Sequence, residues 1–228
     1  MKKITFALAI NFSLLLSAQN KNDSHINTIS YGVKGGLNVS NATDQSFTYG
    51  SDYINQKSKL GFNAGVFVNI PISKSFSVQP EVLFSQYGYK TTYYFSTEDG
   101  YDPLLDSGVS SFINCTDYIV IPVMVQYNII PKLYIETGVE LGFNIITKVK
   151  YYNNTDFSGN MTKSNNKEFI NTLNFGVGAG AGYYFTDNIG ITGRYILGLT
   201  DIEKNPYNLP NKSAIKNKVF QVGVAYKF

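Results

Sequence analysis

This sequence has one histidine, His25, and one cysteine, Cys115, in 228 residues. A lone cysteine excludes an intrachain disulfide framework. A lone histidine argues against Ser-His hydrolysis and against a zinc centre, both of which draw on imidazole in combination with other groups. His25 also stands in a polar stretch ahead of the patterned part of the chain, where it reads as a solvated linker residue. Charge of one sign is scarce as well: a net charge of +3 is too small to argue for a nucleic-acid partner. Past the N-terminus, no stretch approaches the ~18 apolar residues of a membrane helix.

Near the start, Lys2 and Lys3 precede Ile4–Leu16, a mostly apolar stretch broken by Thr5, Asn11 and Ser13. Ser17-Ala18-Gln19 is a small-residue exit. This order predicts a signal peptide over residues 1–18, cleaved after 18 or 19, and it is too short to span a bilayer stably. An uncleaved amphipathic helix is the alternative, but no polar face repeats at helical spacing. No cysteine sits at the exit, so no lipid anchor is expected there. Residues 19–30 are expected to form a polar periplasmic lead-in. An exported chain without a membrane helix is either soluble or an outer-membrane β-barrel.

The composition favours the barrel, with 18 Tyr, 16 Phe and 20 Gly. The last ten residues carry the clearest pattern: Phe220, Val222, Val224, Tyr226 and Phe228 alternate with Gln221, Gly223, Ala225 and Lys227. A period of two puts the first set on one face of a strand and the second on the other. An apolar face opposite a small or polar face suits a barrel wall in lipid. Eight such runs occur, at Tyr31–Ser40, Leu60–Ile70, Phe76–Lys90, Asp117–Asn128, Leu133–Lys148, Thr172–Phe185, Ile189–Leu199 and Lys218–Phe228. Each is near or above the ~9–11 residues of a tilted membrane strand. Short connections (Pro71–Ser75, Ile129–Lys132, Thr186–Asn188) alternate with long ones (Asn41–Lys59, Thr91–Thr116, Val149–Asn171, Thr200–Asn217). The chain is therefore expected to be all-β. Residues 31–228 should form an eight-stranded antiparallel up-and-down transmembrane β-barrel, with short periplasmic turns and long extracellular loops in the cell outer membrane.

The alternation also sets register. Leu133, Ile135, Val139, Leu141, Phe143 and Ile145 oppose Glu136, Glu140 and Asn144 in one run, and Ile189, Ile191, Tyr195, Leu197 and Leu199 oppose Thr192 and Arg194 in another. A one-residue slip would put charges into lipid, at about 2–4 kcal/mol for a Lys or Arg at mid-membrane. Tyr31, Phe76, Tyr127, Tyr183, Phe185, Tyr226 and Phe228 share the outward parity near one end, as an interfacial aromatic girdle would. Pro80 and Pro122 fall inside runs, where each removes a ladder donor, so a bulge or local break is expected at both.

An eight-stranded barrel is just wide enough to be filled by its own side chains, so a plugged lumen is expected. By parity the inward charges are Lys34, Arg194 and Lys227 against Glu81, Glu136 and Glu140. Buried charges must be paired and hydrogen-bonded, which predicts a lumenal salt-bridge network that holds the barrel together; a proton or ion path is the alternative. Gly176, Gly178, Gly180 and Gly182 lack the spacing and the strand–loop–helix setting of a phosphate loop. They read as a small lumenal stripe making room for Arg194 or a nearby Tyr. The loop with Glu98, Asp99, Asp102, Asp106, Gly100 and Gly108 reads as a solvated acidic loop, with Ca²⁺ or bridging to lipopolysaccharide as the functional alternative. Lys204, Lys212 and Lys216 could meet lipid phosphates.

Several segments together resemble the PorT-type outer-membrane β-barrel proteins of Bacteroidota. They are Tyr31-Gly32-Val33-Lys34-Gly35-Gly36-Leu37-Asn38, Gly61-Phe62-Asn63-Ala64-Gly65 and Val78-Gln79-Pro80-Glu81-Val82-Leu83-Phe84-Ser85-Gln86. Tyr118-Ile119-Val120-Ile121-Pro122-Val123 is similar to the family's Leu-Glu-Ile-Pro strand, with Val120 where an acidic residue often stands. Gly190-Ile191-Thr192-Gly193-Arg194-Tyr195, Gly198-Leu199-Thr200-Asp201-Ile202 and the terminal Tyr226-Lys227-Phe228 complete the order. The resemblance implies that Pro80 and Pro122 are recurrent and that Phe228 is an assembly signal for the barrel-assembly machinery. It also brings in type IX secretion, the role of the family's namesake.

The expected function is thus a non-enzymatic integral outer-membrane protein without cofactors, structural or interactive through its loops. Its expected partners are outer-membrane lipid, lipopolysaccharide and a protein at the extracellular loops. A transport or secretion accessory is the alternative.

Overall fold

The computed structural model describes residues 28–43, 48–49, 52–94, 109–153, 170–204 and 214–228. The signal peptide, most of the lead-in with His25, the acidic loop from Glu98 to Gly108, and Lys212 lie outside these residues.

The described residues form nine antiparallel strands: β1 (Ser30–Ala42), β2 (Thr48–Tyr49), β3 (Asp52–Pro71), β4 (Phe76–Tyr94), β5 (Val109–Ile130), β6 (Leu133–Asn153), β7 (Leu173–Tyr184), β8 (Ile189–Gly198) and β9 (Asn217–Lys227). β2 is a two-residue extension paired with the start of β3. The other eight are up-and-down neighbours. β1 pairs with β3 on one side and with β9 on the other, which closes the sheet. Closure is what lets a sheet sit in lipid, because an open edge would leave backbone groups unpaired there.

Each wall strand obeys its parity. Val33, Leu37 and Val39 of β1 face out, while Lys34, Asn38 and Ser40 are buried inside. In β5, Ile121, Val123, Val125 and Tyr127 are exposed, and Met124 and Gln126 are buried. β8 and β9 alternate in the same way along their whole length. Outward Leu37 is 63% exposed and Phe228 is 74% exposed, which in water would be costly. As a lipid-facing band the same surface is stable. The barrel resides in the outer membrane, with its short turns periplasmic and its long connections extracellular.

Strand length departs from the sequence expectation. β3, β4, β5 and β6 run for 20, 19, 22 and 21 residues, against 13, 12, 10 and 11 for β1, β7, β8 and β9. Half of the barrel wall thus projects past the membrane on the long-loop side. Its apolar outer band ends near Leu60 and Ile146, beyond which Lys57, Ser58 and Lys148 are exposed. Near this boundary the β5–β6 ladder shifts register at Asp117/Tyr118. There Ile145 and Ile146 both face out, and Thr147 and Val149 take over the inward face. An extra residue in one strand re-aims everything after it.

The two prolines produce breaks without bulges. Between β4 and β5 the pairing lapses after Pro80–Val123 and resumes at Leu83–Val120 in the same register. Between β3 and β4 it lapses between Phe67–Glu81 and Ile70–Val78, again without a shift. A missing N–H removes a rung, and the flanking rungs hold the alignment.

Candidate functional site in the barrel lumen

Chain direction sorts the inward side chains into layers. β4 leaves the periplasmic turn at Phe76, so Ser77, Gln79, Glu81, Leu83, Ser85, Tyr87 and Tyr89 climb the lumen in that order, and all are buried.

The central layer is ionic. Arg194 Nη1 donates to Glu81 Oε2 at 3.0 Å and Nη2 donates to Oε1 at 2.8 Å. Its Nε donates to Glu136 Oε1 at 2.7 Å. Lys34 Nζ donates to both Glu81 oxygens, at 3.1 and 3.2 Å. The guanidinium therefore uses its fork on one carboxylate and its remaining edge on a second, which suits its planar donor set. Two cations meet two carboxylates, so the layer is neutral. That balance matters because all four side chains are buried, and an unpaired charge there would be strongly destabilising.

A belt of amides lies beneath. Gln79 Nε2 donates to Glu81 Oε1 at 2.8 Å, and Gln126 Nε2 donates to Glu136 Oε2 at 3.0 Å. Asn69 Nδ2 donates to Gln126 Oε1 at 2.8 Å and to Ser77 Oγ at 3.0 Å. To one side Asn63 Nδ2 donates to Asn38 Oδ1 at 2.6 Å, and Asn38 Nδ2 donates to Ser85 Oγ at 2.9 Å. These partners were missed by a search for charges. They share its inward parity, and that signal would have found them.

Glu140 and Lys227 stand apart from the ionic layer, contrary to a six-member network. Glu140 sits one layer higher, where Tyr87 donates to its Oε1 at 2.7 Å. Its Oε2 has no hydrogen-bond partner among the described residues. Around it lies an apolar layer of Leu83, Tyr87, Tyr118, Val120, Ile196 and Val219. Lys227 lies at the opposite end, its ammonium 3.9 Å from the centroid of the Tyr184 ring. Parity assigns the face of a residue and leaves its depth open, so the six inward charges separate into three levels.

The glycine stripe faces the lumen, as expected. A Cβ at Gly182 would collide with the Tyr134 ring and hydroxyl, and one at Gly180 would stand 3.1 Å from Glu136 Oε1. Removing side chains from β7 makes room for the ionic layer and for Tyr134 below it.

The two ends differ. At the extracellular end, Ala42, Tyr89, Ile202 and Ile215, with Ile170 against them, form a small apolar cap. Asp201 Oδ1 accepts from the backbone N–H groups of Glu203 at 3.0 Å and Ile215 at 3.1 Å, which ties together the two ends of the β8–β9 connection. At the periplasmic end lies a cavity of about 560 Å³ whose walls include Asn69, Gln126, Tyr134, Tyr184 and Lys227. On the outside of that end, Phe76 packs on Tyr127 at 4.9 Å, Tyr183 on Phe185 at 5.3 Å and Tyr226 on Phe228 at 5.5 Å between ring centroids. This is an aromatic girdle at headgroup level.

The chain is similar to several solved outer-membrane barrels. The attachment invasion locus protein Ail of Yersinia pestis is 14% identical with a TM-score of 0.45, over 87% of this chain and 98% of that one. Neisserial surface protein A is 14% identical with a TM-score of 0.43, over 89% and 100%. The outer membrane protease OmpT from Escherichia coli is 10% identical with a TM-score of 0.38, over 92% and 99%. At these values the likenesses say nothing about ligand, partner or activity. No curated protein matches the chain. A family model described as outer membrane protein beta-barrel domain matches residues 17–204, which is most of the sequence, and the chain belongs to that family.

Proposed function

We propose that this protein is a non-enzymatic barrel with a plugged lumen, acting through structure and through interactions on its extracellular side. The observation that carries the reading is the neutral Lys34–Glu81–Arg194–Glu136 layer, which spans the lumen with both Arg194 edges occupied. A solute crossing the barrel would have to open several charge-assisted hydrogen bonds at once, each about twice as strong as a neutral one. The apolar cap at the extracellular mouth adds a second obstruction. In this reading the six lumenal charges have a structural role and need no cofactor. The absence of enzymatic activity is read from the single His25, which precedes the first strand.

Planar-bilayer recording tests the reading. The purified barrel should give no stable ohmic steps. Regular single-channel steps of one conductance would sink it and favour small-solute passage, a second reading supported by the cavity that enters the lumen from the periplasmic side.

The finer placement among PorT-type proteins of Bacteroidota, with a signal peptide at residues 1–18, belongs to the same proposal and rests on the ordered segments from Tyr31 to Phe228. Its partners would be outer-membrane lipid and lipopolysaccharide around the wall, the barrel-assembly machinery at Phe228, and a protein at the extracellular loops. Association with type IX secretion is the corresponding accessory role. Co-purification of the secretion apparatus with the tagged barrel would support that role, and its absence from such preparations would remove it.

A further inference from the structure

Among the described residues, the periplasmic cavity carries charge of one sign: its walls include Lys74, Lys132 and Lys227 and no Asp or Glu. The three ammonium groups arrive from the β3–β4 turn, the β5–β6 turn and the end of β9. A volume of about 560 Å³ lies within the range of small-ligand sites, about 300–1,000 Å³.

The cations in this cup are poorly neutralised by the protein. Lys132 approaches Asp187 at 3.7 Å, but the Asp187 side chain is 94% exposed, and a surface pair of that kind contributes little. Lys227 is partly buried and makes no ion pair among the described residues. Its ammonium faces the Tyr184 ring instead, at 3.9 Å. Cation–π contact offsets part of the cost of withdrawing an ammonium from water. A carboxylate would offset more, because it also supplies hydrogen-bond acceptors. Ser30, Ser75 and Thr28 add hydroxyls to the same wall.

The arrangement selects among anions. Lysines are separate point charges on flexible stems, whereas compact phosphates favour an Arg fork or a nest of backbone N–H groups. Three separated lysines fit a ligand whose negative charges are also separated. We propose that the periplasmic cup binds a polycarboxylate, with Lys227 as its most buried contact and Lys74 and Lys132 reaching it from the turns. The cup lies below the ionic layer, so the proposal stands whether or not that layer seals the lumen.

The test is calorimetric titration of the full chain, refolded in detergent, with citrate and with a tetraglutamate peptide. Inorganic phosphate serves as the compact anion. One saturable site for a polycarboxylate is expected, weakening as salt is added. Lys227→Gln should weaken it about tenfold, the loss of one well-placed charge contact worth about 1.4 kcal/mol. The double variant Lys74→Gln/Lys132→Gln should weaken it at least as much. These two residues lie in turns outside the wall, so this variant keeps the test valid if Lys227→Gln does not fold, as judged by heat-modifiability on a gel. Lys57→Gln/Lys59→Gln, at the extracellular end, should leave binding unchanged. Tighter binding of the peptide would identify an acidic peptide segment as the source, and tighter binding of citrate a free small polycarboxylate. The proposal is overturned if affinity survives both cup variants, if the extracellular variant weakens it equally, or if phosphate binds as tightly.

Discussion

Arg194 and Glu81 stand 113 residues apart in sequence and meet through two parallel hydrogen bonds, 3.0 and 2.8 Å long, in the middle of the barrel. The bidentate pair joins β8 to β4 across the lumen, strands that share no ladder. It therefore ties together opposite walls that the sheet connects only by going round.

Removing Arg194 should show what that tie contributes. Arg194→Met leaves one cation, Lys34, for two carboxylates, Glu81 and Glu136. Breaking a buried pair costs about 3–5 kcal/mol, because the remaining charge stays buried. The melting temperature of the detergent-refolded barrel should fall by about 10 °C on that scale. Adding Glu136→Gln restores neutrality and should recover part of the loss. An unchanged melting temperature for Arg194→Met would mean that the layer does not hold the walls.

Glu140 should behave differently from Glu136. Among the described residues its only direct partner is the Tyr87 hydroxyl, whose hydrogen bond an amide oxygen accepts equally well. Glu140→Gln removes a buried carboxylate that contacts no cation and should keep or raise thermal stability. Glu136→Gln removes the negative charge that Arg194 Nε meets at 2.7 Å and leaves only one acceptor oxygen for Arg194 and Gln126, so it should lower stability. Thermal unfolding of the two variants in the same detergent separates them, and a larger loss for Glu140→Gln would reverse the assignment.

Two glycines in neighbouring strands make a matched pair. Gly182→Ala drives a methyl group into the Tyr134 ring, and overpacking of this kind costs about 1–3 kcal/mol. At Gly193 nothing lies within 4 Å of a Cβ, so Gly193→Ala should change stability by less than about 0.5 kcal/mol. Urea titration of both, followed by loss of heat-modifiability, checks the contrast.

Phe228 is where assembly and stability should come apart. Its ring is exposed on the outer face and its backbone N–H donates to Tyr31 O at 2.9 Å. Phe228→Ser keeps that backbone bond. It should reduce the amount of barrel in the outer membrane of cells while leaving refolding in detergent nearly unchanged. Equal losses in both assays would make Phe228 a packing residue only.

Much of the architecture was legible in the sequence. Alternation in β1, β5, β8 and β9 gives face and register directly, because the side-chain period of a strand is two and lipid punishes every error of parity. The short turns were legible for a related reason: with no room for other structure, they simply join two patterns of the same phase. The upper halves of β3–β6 were not. Beyond Leu60 and Ile146 water meets the outer face, apolar alternation is no longer needed, and strand and loop look alike in sequence. The lapses at Pro80 and Pro122 were anticipated from the missing N–H, but only the flanking rungs decided that neither became a bulge.

The lumen shows the same division. The sequence by itself determined which charged residues point inward, since that follows from local parity. Only the tertiary structure decided which of them meet. The stagger of strands around a closed barrel sets the height of each residue, and height brings Lys34, Glu81, Glu136 and Arg194 to one level. It leaves Glu140 above with Tyr87 and Lys227 below with Tyr184. Parity is a property of neighbouring residues, whereas depth is a property of all eight strands at once.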